Sequence, residues 1–207
     1  AAMWGTFLEN TKEKKEEQKK LDEKYYYCNA VGSDEVGTGD YFGPIVVTAT
    51  YVSKDNIKFL EDLGIRDSKK VTDDYILKVT PELIKKIPYR SLILTNKEYN
   101  EKYSKDLNMN KIKAIMHNKV LYQIMTELKP DVDYIIVDEF AKEARYYNYI
   151  KDANNIQRGI TFIQKAEDKN LAVGADSIIS RYIFLKEFNK LADAVGLPLP
   201  KGAGASV

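Results

Sequence analysis

One cysteine and one histidine stand among 207 residues, and both scarcities exclude chemistry. Cys28, in an apolar run, has no second thiol for an internal disulfide. His117, without a second His or Cys beside it, reads as a structural residue or a support behind metal ligands rather than as a ligand itself. Apolar runs of membrane-spanning length are missing, and the N-terminus lacks the apolar core of a secretory signal, so a soluble cytosolic protein is expected. Charge of one sign is missing too. Lys and Arg number 32 against 31 Asp and Glu, a net charge of +1, so the overall field is weak and a polyanion would have to be held by a local basic patch. The chain has no GxSxG elbow, no Cys–His signature and no Walker A sequence. These absences argue against a protein nucleophile and against nucleoside triphosphate hydrolysis.

What is present suits one well-buried domain, with 44% hydrophobic residues in a chain too short for two large cores. Residues 1 to 24 read as a charged linker or N-terminal helix, because the stretch from 9 to 24 mixes both signs with almost no apolar residues. From residue 25 the pattern turns to strands. Tyr25 to Ser33 and Ile45 to Val52 read as a hairpin around Gly43-Pro44, followed by strands at Arg90 to Thr95, Tyr134 to Val137 and Ile160 to Ile163. Helical spacing covers Thr72 to Ile87, with an interruption expected near Pro81, and also Asn110 to Leu128 and Ala172 to Ala194. Hairpins followed by β-α crossovers predict an α/β domain, a mixed sheet flanked by helices. Tyrosines 25–27, 146, 147 and 149 are expected mainly in cores or interfaces, with base stacking as the lesser reading.

The acids carry the chemistry. Asp34 and Glu35 end the first strand, Asp138 and Glu139 follow Tyr134–Val137, and Glu167 and Asp168 follow Ile160–Ile163. Functional side chains in such sheets gather outside strand ends. Neighbouring strand residues point to opposite faces, so Asp34 and Glu35 are expected to share a site only where the strand loses its regularity, with Gly37 and Gly39 supplying that freedom. Several converging carboxylates need a cation, and hard oxygen donors select Mg²⁺ or Mn²⁺. Two such ions about 3.5 to 4 Å apart can activate a water and stabilise a leaving phosphodiester oxygen.

Those residues belong to a longer pattern: GSDEVGTGDYFGP at 32 to 44, Asp67-Ser68-Lys69-Lys70, Met116-His117-Asn118-Lys119, IIVDEF at 135 to 140, Gln164-Lys165-Ala166-Glu167, Ser177-Ile178-Ile179-Ser180-Arg181-Tyr182 and LPKGAG at 199 to 204. With these motifs the chain resembles bacterial ribonuclease HIII, a type 2 ribonuclease H. The resemblance implies a ribonuclease H-like fold with a five-stranded mixed sheet over residues 25 to 207. It implies endonucleolytic cutting of the RNA strand of RNA/DNA hybrids with Mg²⁺ or Mn²⁺, two ions acting together and leaving 5′-phosphate and 3′-hydroxyl ends. The family's four metal-binding and catalytic acids fall on Asp34, Glu35, Asp138 and Glu167. Its ribose-reading backbone falls on Gly37, Thr38 and Gly39, with Asp40 and Tyr41 beside it. Ser68, Lys69, Lys165 and Arg181 complete the expected substrate-binding set, and a glycine-rich backbone suits a 2′-hydroxyl, the group that separates RNA from DNA.

Type HIII relatives also carry an N-terminal domain resembling the TATA-binding fold and a continuation past LPKGAG; neither stands in this sequence, whose C-terminus reads as truncated. A monomer without an obligate protein partner is implied. Asp176 departs from the small residues usual before Ser-Ile-Ile; helix capping is its expected role, and Glu167 is placed ahead of Asp168 and Asp176 as the fourth acid. The alternatives are cleavage at single ribonucleotides in duplex DNA, as in type HII, and a catalytically silent hybrid-binding module.

Overall fold

The computed structural model describes residues 22–40, 42–102 and 108–202, with positions 16, 19 and 20; most of the charged stretch 9 to 24 lies outside these. Five strands form one mixed sheet: β1 (Ala30–Val36), β2 (Ile45–Val52), β3 (Tyr89–Leu94), β4 (Tyr134–Asp138) and β5 (Ile160–Ile163). Their order is β3-β2-β1-β4-β5. The first three pair antiparallel, while β1, β4 and β5 run parallel, as hairpins followed by crossovers require.

Helices cover both faces. Besides the helical residues 22–26, the described helices are α1 (Ile57–Asp62), α2 (Asp73–Lys86), α3 (Asn96–Lys102), α4 (Met109–Leu128), α5 (Glu143–Tyr149) and α6 (Leu171–Val195). Alternation along the strands divides the interior in two. Ala30, Val46, Val52, Ile136 and Ile163 pack with α1, α2 and α6, whereas Val31, Val47, Ala49, Ile135 and Val137 pack with α4 and Tyr146 of α5. The α6 contact is close because Gly32 lacks a side chain. A Cβ there would stand 2.5 Å from the Val173 nitrogen, closer than atoms can approach.

Two expectations need correction. Tyr25–Tyr27 does not extend β1: residues 22–26 are helical and pairing begins at Ala30. The Tyr25 carbonyl accepts from the Asn170 side chain at 2.7 Å, and the Tyr25 ring meets Tyr134 edge-on at 5.1 Å, so tertiary contacts outweigh local β propensity. Pro81 does not interrupt α2. Its missing N–H leaves only the Leu77 carbonyl without a helical donor, on an exposed side of the helix, and the Thr80 hydroxyl bonds the preceding carbonyl, Ile76, at 2.7 Å.

Candidate active site

The acids come within electrostatic reach of one another because one strand stops before its neighbour. β1 pairs with β4 only as far as Ser33 opposite Val137, but remains paired with β2 through Asp34, Glu35 and Val36. The expected loss of regularity at the two acids does not occur. Asp34 and Glu35 keep their opposite orientations and extend past the last β1–β4 pair, beside Asp138, which terminates β4. The chain turns only afterwards, at Gly37, with φ of 99°; a Cβ there would stand 2.1 Å from the Pro44 carbonyl oxygen.

Glu35 reaches toward α4. His117 Nε2 lies 2.9 Å from its Oε2, and the Lys113 ammonium closes on Oε1. His117 and Lys113 lie one turn apart on the same helix face, and Phe140 lies against both, its ring 5.3 Å from the imidazole and 4.3 Å from the ammonium. Burial raises the Glu35 pKa, but the hydrogen bond and charge of His117, together with Lys113, outweigh it and hold the carboxyl below its usual range.

Asp34 lies in the opposite situation. Burial is the largest influence and the charge of Glu35 the next, with Glu167 and Asp138 adding to it; together they raise its pKa well above normal against one backbone N–H, from Glu35 at 2.8 Å. The residue as a whole is half-buried. The Asp138 pKa is raised as well, by burial first and then by Glu167 and Glu35, although the Ala166 N–H donates to it at 2.9 Å. Glu167 sits in the 3₁₀ turn Ala166–Asp168 that leads into α6, and its charge reaches both Asp34 and Asp138.

Excess negative charge on hard oxygen donors fits a divalent Mg²⁺ or Mn²⁺. Among the described residues, however, no three such side chains stand together as an ion-binding group. Glu35 is engaged by Lys113 and His117. Of the neighbouring acids, Glu139 pairs with Lys142 and Asp168 is exposed.

Asp176 corrects another expectation. It caps nothing; Asn170 caps α6 by accepting from Ala172 N at 2.9 Å and Val173 N at 3.3 Å. Asp176 lies inside the helix, fully buried beside Gly32, and burial, followed by the charge of Asp34, raises its pKa well above normal.

The expected substrate residues scatter around this centre. Thr38 and Gly39 are exposed, and Gly37, Thr38 and Asp40 line a cleft of about 510 Å³ shared with Asn96, Tyr99 and Asn100 of α3. Asp40 accepts from the Gly202 N–H at 2.6 Å, tying the glycine turn to the C-terminal motif. Ser68 lies in the turn Ile65–Lys70, and Lys165 is exposed in a left-handed conformation with φ of 54°. The Arg181 guanidinium is engaged by Asp73 through two bonds of 2.9 and 3.1 Å. Tyr41 and the Lys69 side chain lie outside the described residues. Sequence reading missed Lys113 and Ser33; the i, i+4 spacing of Lys113 and His117 was the available signal.

A mixed five-stranded sheet in this order, with acids at the ends of its central strands, defines a ribonuclease H-like protein. The chain belongs to the ribonuclease HII family, whose model matches residues 31–207, and it is similar to curated proteins named ribonuclease HIII. Ribonuclease HIII of Bacillus thuringiensis subsp. konkukian (strain 97-27) is 44% identical over 86% of this chain, which spans 58% of that relative's length. Ribonuclease HIII of Lysinibacillus sphaericus (strain C3-41) is 41% identical over the whole chain and 69% of the relative. The crystal structure of Bst-RNase HIII in complex with Mn²⁺ superposes with a TM-score of 0.86 at 41% identity, over 90% of this chain and 61% of that one. RNase H3 of Aquifex aeolicus matches with a TM-score of 0.71 at 26% identity, over 86% and 65%.

Proposed function

We propose that this protein hydrolyses the RNA strand of RNA/DNA hybrids endonucleolytically, leaving 5′-phosphate and 3′-hydroxyl ends. The extension of Asp34 and Glu35 past the last β1–β4 pair, beside Asp138 and within reach of the charge of Glu167, carries the reading: it concentrates carboxylates at one strand end. These four residues would hold the metal ions. Mg²⁺ or Mn²⁺ bound there supplies an activated water and charge stabilisation for the leaving oxygen. The protein's own groups do the rest. Asp138, oriented by the Ala166 N–H, and Glu35, oriented from α4, present fixed oxygens. The exposed Gly37-Thr38-Gly39 turn offers backbone groups to ribose 2′-hydroxyls, and Lys165 offers a positive charge to phosphate. Binding as a monomer is part of the proposal.

A labelled RNA/DNA hybrid incubated with Mg²⁺ or Mn²⁺ tests it: the protein should cut within the RNA strand and the Asp138→Asn variant should not. Equal cutting by both would overturn the reading. A duplex with one embedded ribonucleotide, left largely intact, would separate this specificity from the type HII one.

A further inference from the structure

His117 is fully buried, yet it is the meeting point of polar contacts that run from the sheet to the acid cluster. Its Nδ1 shares a 2.7 Å hydrogen bond with the Ser33 hydroxyl. That hydroxyl is itself anchored 3.0 Å from the Thr48 carbonyl oxygen on β2, to which it donates. At the other end, Nε2 faces Glu35 at 2.9 Å; an ionised carboxylate can only accept, so the imidazole donates there. Ser33 and Glu35 are two residues apart on one strand and therefore share a face. The histidine bridges them from α4, with Phe140 stacked on its ring as a wall. A buried imidazole held at both nitrogens and wedged by an aromatic ring has one orientation, and so does the carboxylate it holds.

We propose that His117 is the positioning residue of Glu35: the Thr48–Ser33–His117 chain fixes which way the Glu35 carboxylate faces and so presets it as a metal ligand. Lys113 holds the other oxygen but is a flexible, movable cation, whereas the imidazole cannot move away without leaving its own buried nitrogens unpaired. When an ion arrives, Lys113 yields its oxygen and His117 keeps Glu35 in place. This inference rests on the reading of the four acids as a metal site.

Binding of Mn²⁺ alone, followed by the electron paramagnetic resonance of the free ion and without substrate, is the test. Wild-type protein should bind and Asp138→Asn should bind far more weakly. His117→Leu, which fills the space but cannot donate, should weaken binding about 10–100-fold, the usual cost of losing a partner behind a metal ligand. His117→Gln, whose amide can donate to Glu35, should recover most of that loss, and Ser33→Ala should show a smaller loss in the same direction. In cleavage, the Mn²⁺ concentration for half-maximal rate should shift while KM for the hybrid stays. Wild-type affinity in His117→Leu, or equal losses in His117→Leu and His117→Gln, would overturn the positioning role, and Ser33→Ala at wild-type affinity would do so even if the histidine variants failed to fold. If wild-type protein binds no Mn²⁺, or Asp138→Asn binds equally well, the metal-site reading itself fails.

Discussion

Asp34 and Glu35 are adjacent in sequence, and the sheet between them gives them opposite electrostatic lives. On the α4 side, Glu35 has two nitrogen partners, and it and Lys113 each expose only 12% of the side chain. On the α6 side, Asp34 meets further acids, Glu167, Asp138 and the buried Asp176, with one backbone N–H in compensation. The same residue chemistry is therefore stabilised on one face and penalised on the other. The α4 half of the site carries its own positive charge; the α6 half has none among these partners and is where a divalent cation would relieve most repulsion.

The sharpest way to break this comparison is to neutralise each acid in turn. Asp34→Asn and Glu35→Gln should each cost more hybrid cleavage than the about 10–100-fold expected for partners behind a ligand, but their metal-free melting temperatures should move in opposite directions. An acid whose folded pKa is raised destabilises the fold once pH exceeds its unfolded pKa, about 3.9 for Asp, so Asp34→Asn should melt higher at neutral pH. An acid whose folded pKa is lowered contributes stability above the unfolded value and loses it as pH falls through the folded one. Glu35→Gln should therefore melt lower at neutral pH, by up to the about 3–5 kcal/mol of a broken buried pair. Calorimetry showing shifts of the same sign would break the contrast.

Lys113→Met tests the built-in cation. Metal-free stability should fall, though by less than in Glu35→Gln because His117 still holds one oxygen, and Mn²⁺ titration should show tighter binding because a competitor for Glu35 is gone. Asp176→Asn extends the test to the far side of α6. Its melting temperature should exceed wild type at neutral pH, and the gain should shrink as pH is lowered toward the unfolded carboxylate pKa of about 3.9, below which wild-type Asp176 is protonated in both states. The smallest effect is expected for Arg181→Ala, which removes the α6–α2 tie to Asp73: about 0.5–1 kcal/mol of stability, as for a partly exposed pair, with hybrid affinity nearly unchanged. A large loss of affinity there would return Arg181 to the substrate.

Much of this was legible beforehand, for local reasons. β2, β4 and β5 were readable because β-branched runs end in turn or acidic residues, and the long helices because their apolar spacing is continuous. Asp138 stood out as an acid closing an apolar run. What could not be read depends on partners distant in sequence. Tyr25–Tyr27 has strand composition, but Asn170 and Tyr134 place it in a helical turn. Arg181 reads as a phosphate contact, and its pairing with Asp73, 108 residues away, could not be read from the sequence. Asp176 resembles a cap until the helix proves to begin at Leu171.

The sequence by itself determined the strand and helix periods, the identity of the acids and the glycine at the turn that needs φ of 99°, because these follow from backbone sterics and side-chain chemistry within a few residues. Only the tertiary structure decided how Asp34 and Glu35 share one site. Alternation along a strand says that they point apart; that β4 ends two residues before β1 does, leaving both acids close to Asp138 at its end, is a matter of pairing register between β1 and β4. Register is set by the packing of both sheet faces against α4 and α6, and no single segment contains it.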